Sequence, residues 1–270
     1  MRDVVRTAGS DTMVNLAQAW AENYATVRPT VSVEVSGGGS ATGIVSLMEG
    51  AVDLANCSRP VEPSEAEAIR RKTGALPREF LVGHDALAVF VHPANPLVAL
   101  SLPQLADLYG RQGRIQDWAD LQVTIPGAKS REVILISRQN NSGTFHYFRQ
   151  SVLGPRGDFR QGTRDLNGSK EVVSLISTTP TAIGYSGMGY STPGVKMLSV
   201  SRETGGAAFA PNVANTVSGL YPLSRPLYIY TRAKLSPAVE QYLRWIQSIA
   251  GQQVLQQAGY VPVTQSAAQP

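Results

Sequence analysis

Cysteine is almost absent from this chain of 270 residues. Its one cysteine, Cys57, excludes an internal disulfide bond, and we expect a buried, unreactive thiol at that position. Charged residues are also few, at 16%, and the net charge is +4. The one basic cluster, Arg70–Lys72, lies on a predicted helix that also carries Glu65 and Glu67. This pattern indicates a solvated helix face, and we expect no nucleic-acid partner.

Long apolar runs are missing as well. No stretch approaches the ~20 apolar residues that a membrane-spanning helix needs. No signal-peptide pattern precedes the first predicted strand, which begins near Asp3. The sequence therefore leaves open a cytosolic protein or a mature chain with an added methionine.

Catalytic and metal-binding motifs are not found either. The stretch Gly184–Met188 fails the G-x-S-x-G pattern of a nucleophile elbow at its last position. The histidines, His84, His92 and His146, share no short motif, and no His/Cys cluster suggests a metal site. We therefore expect neither an enzyme nor a protein that binds a metal or a cofactor.

What the sequence does contain is a strand, a polar turn and a helix in succession. An alternating apolar run, Val133–Ile136, predicts a strand, and helical spacing begins at Phe145. Between them lie Arg138, two amides and the small residues Ser142–Thr144. The start of a helix offers unpaired backbone N–H groups and the positive end of the helix dipole, which favour an anion. Arg138 adds a fork of donors that suits an oxyanion.

The same arrangement is predicted twice more, near the amino terminus. A strand over residues 3–7 is followed by Gly9–Thr12 and by helical spacing from Met13. A second strand, Val31–Val35, leads into the glycine-rich stretch Ser36–Gly43 and a short helix. This stretch is not a P-loop, since no Lys-Ser/Thr follows the glycines, and its spacing does not fit G-x-G-x-x-G.

Alternating strands and helices predict an α/β fold with a mostly parallel sheet. In such sheets, ligands bind beyond the carboxyl ends of the strands. Strands are also predicted over residues 80–82 and 86–91, separated by Gly83–Asp85. A carboxylate directly before an apolar strand is unusual, and Asp85 is equally well explained as a functional residue or as a turn or cap residue.

These motifs, taken in order, resemble those of the phosphate-binding proteins that serve phosphate ABC transporters. Further matching segments extend the resemblance over nearly the whole chain: Asp53–Pro60, Ala182–Tyr185, Tyr221–Pro226 and Gly251–Pro262. The resemblance implies the type II periplasmic-binding-protein fold, an α/β fold of two lobes with a ligand cleft between them, joined by two crossing strands. It places residues 1–88 plus 226–270 in lobe I and residues 89–225 in lobe II.

The resemblance also implies a set of ligand-binding residues. These are Ser10, Asp11, Thr12, Ser40 and Ser58 in lobe I, and Arg138, Ser142, Gly143 and Thr144 in lobe II, to which we add Asp85. Well-studied members carry an aspartate, which accepts the hydrogen of a protonated phosphate, where this chain has Ser58. They carry a small residue where this chain has Asp85. We therefore expect Asp85 to be the acceptor, with Asp11 as the alternative.

From the same resemblance follow the expected partners: inorganic phosphate and the permease subunits of an ABC importer. A monomer is expected, soluble in the periplasm or lipid-anchored outside the membrane. Two other functions stay open from the sequence. One is binding of a different oxyanion, such as sulfate, molybdate, tungstate or phosphonate. The other is a phosphate sensor that takes no part in transport.

Overall fold

The structure is a computed structural model that describes residues 3–263, in which strands and helices alternate along the chain. The strands are β1 (Asp3–Gly9), β2 (Val31–Ser36), β3 (Leu54–Cys57), β4 (Arg78–Val91), β5 (Ala99–Ser101), β6 (Ile134–Arg138), β7 (Arg164–Leu166), β8 (Ala182–Gly187), β9 (Lys196–Ser201) and β10 (Ser224–Thr231). The helices are α1 (Val14–Val27), α2 (Ser40–Glu49), α3 (Pro63–Thr73), α4 (Leu102–Tyr109), α5 (Gly143–Phe148), α6 (Ser169–Ser177), α7 (Val213–Val217), α8 (Pro237–Gln247) and α9 (Ile249–Gln257).

Contacts between residues divide the chain into two units. Unit 1 contains Met1–His84 and Pro226–Pro270, and unit 2 contains Asp85–Arg225. The chain therefore passes from one unit to the other twice, once within β4 and once within β10.

The sheet of unit 1 brings three loops to one edge. Strand β1 pairs in parallel with β2, from Asp3 opposite Val31, and with β3, up to Gly9 opposite Asn56. Strand β10 adds to β3 in the antiparallel direction. Because the carboxyl ends of parallel strands meet at the same edge, the loops that follow β1, β2 and β3 lie together.

Helix α8 shows how local sequence builds the core of unit 1. Its buried residues, Val239, Tyr242, Leu243 and Ile246, follow the helical repeat. Its start is marked by Pro237 in the first turn and by Ser236, whose side chain accepts a hydrogen bond from the Val239 N–H.

The buried face of α8 packs into a cluster of large side chains that includes Trp20, Tyr24 and Leu255. The Trp20 indole N–H donates to the Gly251 carbonyl at 2.8 Å, so its polar atom is satisfied inside the core.

In unit 2, β6 lies between β7 and β8 and runs parallel to both. Residues Leu87–Val91 of β4 pair antiparallel with β8, and β9 also runs antiparallel to β4. The sheet is therefore mixed, and the prediction of a mostly parallel sheet was wrong for the strands around β4. The apolar pattern of a buried strand does not encode the direction of its neighbours, which explains the error.

Strand β4 is continuous through Gly83–Asp85, so the predicted interruption is wrong. The His84 N–H donates to the Val261 carbonyl at 2.8 Å, and the Val261 N–H donates to the His84 carbonyl at 2.9 Å. This bridge satisfies the backbone at the point where polar residues suggested a turn.

An aromatic cluster fills the core of unit 2. The rings of Phe148 and Tyr185 stack at 3.8 Å between centroids, and Tyr109 packs edge-on against Phe148 at 4.9 Å. The Tyr109 hydroxyl donates to the Ile183 carbonyl at 3.0 Å, which ties α4 to β8. The end of α5 is thereby anchored to the sheet.

Candidate functional site

In unit 1, three predicted ligand residues lie at the carboxyl ends of adjacent parallel strands. Ser10 follows β1, Ser40 begins α2 after β2, and Ser58 follows β3. Their exposed fractions are 2%, 0% and 0%, respectively. The register of the sheet therefore collects residues that are up to 48 positions apart in the chain.

The hydroxyl groups of these serines form a connected set. Ser10 Oγ donates to Ser58 Oγ at 2.9 Å, and the Ser58 backbone N–H donates to Ser40 Oγ at 3.2 Å. The Ser10 N–H donates to the Asn56 carbonyl at 2.8 Å, which fixes the turn after β1. Ser40 Oγ acts as an acceptor here and retains its own hydrogen for donation. The cluster is buried, uncharged and rich in donors, as an anion site requires.

Asp11 holds the glycine-rich loop in place. Its Oδ1 atom accepts a hydrogen bond from the Gly38 N–H at 2.9 Å. Gly38 has a φ of +112° and Gly39 a φ of +89°, which favour glycine. The Gly39 N–H donates to the Gly9 carbonyl at 2.9 Å, so the loop is tied to β1 as well. Asp11 thus positions the residues that precede Ser40.

The turn between β1 and α1 is held by contacts with distant residues. Ser10 and Asp11 are both residue types that cap helices, but the Ser10 side chain makes no cap hydrogen bond within the described residues and donates to Ser58 instead. Asp11–Met13 form a turn of 3-10 helix before α1. Thr12 in this turn is buried, and its carbonyl accepts a hydrogen bond from the Tyr260 hydroxyl. The turn is therefore fixed from both sides.

In unit 2, Arg138 is the last residue of β6, and it is fully buried. Its Nη2 atom donates to the Asn167 carbonyl at 2.6 Å, and Nη1 donates to Ser169 Oγ at 3.0 Å. Because β6 and β7 are parallel, with Arg138 opposite Leu166, the residues after β7 meet the guanidinium. These neutral acceptors orient a buried positive charge.

The predicted residues Ser142, Gly143 and Thr144 are all buried at the start of α5. Ser142 is the N-cap, and its Oγ accepts from the N–H groups of Thr144 at 3.1 Å and Phe145 at 3.4 Å. The cap hydroxyl therefore occupies two of the backbone donors that were expected to be free. The Ser142 hydroxyl keeps its hydrogen for donation.

Asp85 lies in unit 2 with Arg225, a residue that the sequence did not single out as functional. Both side chains have an exposed fraction of 0%, and Arg225 Nη2 lies 2.8 Å from Asp85 Oδ2. Burial raises the pKa of Asp85 above its ordinary value, and the adjacent Arg225 opposes this shift. Asp85 is therefore a buried acid in an ion pair, and neither a turn residue nor a helix cap.

Three more residues that sequence reasoning missed support these positions. Ser169, the first residue of α6, holds Arg138. Tyr147 of α5 donates from its hydroxyl to the Ser224 carbonyl at 2.5 Å. Arg59 forms a two-armed ion pair with Glu65 directly after Ser58. Of these three residues, the sequence could have indicated only Arg59, which directly follows Ser58. Ser169 and Tyr147 contact residues that are distant from them in sequence.

The buried thiol of Cys57 is as expected. The cysteine is fully buried beside Ser40, and burial raises its pKa. A neutral thiol next to the donor cluster adds no negative charge that would repel an anion.

Comparison with known proteins now identifies the family. A family model described as a PBP superfamily domain matches residues 2–249. The phosphate-binding protein PstS of Pseudomonas aeruginosa is 37% identical over 267 residues, covering 95% of this chain and 82% of that protein. This chain belongs to the PstS family of phosphate-binding proteins. The PstS of Bacillus subtilis is 29% identical, covering 95% of this chain and 80% of its own length.

A solved structure supports the same assignment. The chain is similar to a protein from Clostridium perfringens, described as a phosphate ABC transporter substrate-binding protein and determined with bound phosphate. The TM-score is 0.85 and the identity 26%, covering 97% of this chain and 100% of the other. The type II periplasmic-binding-protein fold predicted from the resemblance is confirmed. Members of the PstS family are binding components of transport systems, not enzymes.

Within residues 3–263, no helix combines the length and apolar character needed to cross a lipid bilayer. PstS-like binding proteins act outside the cytoplasm.

Proposed function

We propose that this protein captures inorganic phosphate and delivers it to an ABC importer. Membership of the PstS family supports the proposal, and the candidate site agrees with it chemically. The observation that carries it is the donor set found in each unit: buried serine hydroxyls in unit 1 and the buried Arg138 with Ser142 in unit 2. Enzymatic turnover is not part of this function.

The ligand residues we propose are those named from the sequence. In unit 1, Ser10, Thr12, Ser40 and Ser58 supply hydroxyl or backbone donors, and Asp11 positions the glycine-rich loop. In unit 2, Arg138 supplies the positive charge, and Ser142, Gly143 and Thr144 form the turn that contacts the anion. A charged donor and several neutral donors together suit the oxygens of phosphate.

We assign selectivity for phosphate to Asp85. Phosphate near neutral pH retains at least one P–OH group in part of its population, and a carboxylate accepts that hydrogen. Sulfate is fully ionised, so the same carboxylate would face an oxyanion with no hydrogen between them. Unsatisfied or repelled charged groups cost more than the ~1–3 kcal/mol of a neutral buried group. Rejection of sulfate therefore follows from repulsion rather than from size.

An anion-binding screen by isothermal titration calorimetry tests this function. Phosphate-free protein is titrated with phosphate, sulfate, molybdate, tungstate and a phosphonate at fixed pH. We expect one phosphate per chain and a clear preference over sulfate. Tighter binding of sulfate or molybdate would instead assign the protein to another oxyanion. The same titration with the Lys129→Ala variant, which changes an exposed residue of unit 2, serves as the control.

The cellular setting is also part of the proposal. We expect a monomer outside the cytoplasm, either soluble in the periplasm or held by a lipid anchor, with the permease subunits as its protein partners. Light scattering of the purified chain tests the monomer. Restored phosphate uptake in cells that lack their own phosphate-binding protein tests delivery to a transporter.

A further inference from the structure

The buried ion pair between Asp85 and Arg225 joins the first residue of unit 2 to its last. Asp85 belongs to β4 and Arg225 to β10. Arg225 donates to Asp85 Oδ2 twice, from Nε at 3.0 Å and from Nη2 at 2.8 Å. Both side chains are completely shielded from solvent. Such a pair is costly to bury, which raises the question of what it does.

The geometry of this pair is one-sided. Both donors of Arg225 use the same oxygen, Oδ2, and the other oxygen, Oδ1, is buried without a hydrogen-bond partner among residues 3–263. Arg59 and Glu65 in unit 1 form the usual two-armed pair, in which Nη1 donates to Oε2 and Nη2 to Oε1, both at 2.7 Å. Buried acceptors in folded proteins are normally satisfied. The Asp85 carboxylate, on which the Met188 backbone N–H also acts, therefore retains acceptor capacity at Oδ1 for a ligand hydrogen.

Arg225 lies against α5, the short helix that begins at the anion-binding turn of unit 2. The guanidinium carbon of Arg225 lies 5.5 Å from the centroid of the Tyr147 ring. Tyr147 lies on α5, one turn after Gly143, and its hydroxyl bonds to the carbonyl of Ser224. The ion pair thus lies beside the short helix that begins with the proposed ligand residues.

The tyrosines near Asp85 are neutral, and the positive charge paired with Asp85 is that of Arg225. Two tyrosines on other elements lie near Asp85, Tyr147 and Tyr221, and burial raises the pKa of both, so both are neutral near neutral pH. Arg202 acts on Tyr147 and lowers its pKa only in part. Burial raises the pKa of Asp85, whereas Arg225 lowers it and the backbone N–H of Met188 adds a smaller effect in the same direction.

We propose that Arg225 is a positioning residue that determines anion specificity: it keeps Asp85 as a carboxylate with one oxygen free to accept a ligand hydrogen. The proposal rests on the proposed function, in which Asp85 contacts phosphate. It adds that the arginine paired with Asp85 decides whether the site rejects sulfate. Without Arg225, the buried acid would take up a proton and become a donor, and a fully ionised anion would then be tolerated.

The direction of the pH effect follows from the ion pair. Asp85 accepts a ligand hydrogen only above its own pKa, so the preference for phosphate over sulfate is lost as pH falls through that value. Removing Arg225 raises the pKa of Asp85 further, because only the smaller effect of the Met188 backbone N–H then opposes burial. The loss of selectivity in the variant therefore begins at a higher pH than in the native protein.

The test compares Arg225→Met with Arg225→Lys in the full chain, by calorimetry with phosphate and sulfate over a range of pH. We expect Arg225→Met to lower the phosphate-to-sulfate affinity ratio by roughly tenfold or more near neutral pH, the size expected for one lost hydrogen bond to a charged group. Arg225→Lys keeps the charge and should retain most of the ratio. Ile176→Ala, a cavity variant in the core of unit 2, controls for lost stability.

Asp85→Asn separates the two possible failures. If Asp85→Asn leaves the affinity ratio unchanged, Asp85 is not the acceptor and the selectivity assigned under the proposed function fails with it. If Asp85→Asn lowers the ratio but Arg225→Met does not, the role of Arg225 is refuted and that of Asp85 stands. In the double variant we expect no loss beyond that of Asp85→Asn, since both changes act through one carboxylate.

Arg225→Met risks unfolding, because it leaves a buried carboxylate unpaired. A second measurement therefore uses the native protein: carbon-13 NMR of the Asp85 carboxyl carbon, with and without phosphate. We expect an ionised carboxyl group near neutral pH in both states. A protonated Asp85 in the native protein would overturn the proposal.

Discussion

Replacement of Arg138 by methionine should weaken phosphate binding strongly while leaving the chain folded. Arg138 is fully buried at the end of β6, and the Asn167 carbonyl and the Ser169 hydroxyl orient its guanidinium. Methionine replaces the aliphatic part of the arginine side chain and removes both the charge and the donors. A hydrogen bond to a charged group contributes about 1.5–3 kcal/mol. Its loss therefore raises the dissociation constant roughly tenfold to 150-fold.

Two further variants distinguish charge from geometry at the same position. Arg138→Lys keeps the charge but loses the planar fork, so we expect an intermediate loss of affinity. Ser169→Ala removes one anchor of the guanidinium without touching the anion. The lost bond affects the anion only through the orientation of the guanidinium, so we expect a smaller loss of about 0.5–1.5 kcal/mol, or about twofold to twelvefold in the dissociation constant.

The assay is calorimetric titration of phosphate-free protein, accompanied by circular dichroism and a thermal melt of each variant. The melt matters because Asn167 and Leu166 lose a donor to their carbonyls when the guanidinium is removed. Arg131→Ala, which changes an exposed arginine of the same unit, is the matched control and should bind as the native protein does. Native affinity in a folded Arg138→Met variant would refute a direct role for this residue.

Three other predictions follow from the structure. Asp11→Ala should weaken phosphate binding about twofold to twelvefold by calorimetry, because the Gly38 N–H loses its acceptor. Asp11→Asn keeps an acceptor oxygen and should retain more affinity. Equal affinities for the two variants would show that Asp11 does not position the loop. Gly43→Ala should lower the free energy of unfolding in urea by about 1–3 kcal/mol, since its added Cβ would lie 2.7 Å from both the Ala8 carbonyl oxygen and Gly9 Cα. The control, Val45→Ala on the exposed face of α2, should change the free energy of unfolding little. Cys57, whose pKa burial raises, should not react with a thiol reagent in the native protein at mildly alkaline pH but should react fully in urea; rapid labelling of the folded chain would contradict its burial.

The sequence predicted the local parts of this protein well. Each anion loop is a strand, a short polar turn and a helix, and these requirements are met by adjacent residues. The alternation of Val31–Val35, the glycines that follow and the helical spacing of α2 all appear within 20 positions. Because such signals are local, the amino-acid sequence alone suffices to locate the loops around Ser10, Ser40 and Arg138.

The errors lie where a distant partner decides the outcome. Gly83–Asp85 suggested a turn, but Val261 supplies the backbone pairing that keeps β4 continuous. Ser10 is of a residue type that caps helices, but its hydroxyl donates to Ser58, 48 positions away. In each case, a contact between residues distant in sequence replaced the local structure that the adjacent residues favoured.

The sequence by itself thus determined the chemistry of each loop: small residues and few charges at helix starts, with one arginine among them. Only the tertiary structure decided which hydroxyls share hydrogen bonds and which cation faces Asp85. Arg225 lies 140 residues from that carboxylate, and no local pattern records the pairing. The physical reason is that the ionisation state of a buried group depends on the groups that pack against it, and the fold of the whole chain determines which groups those are.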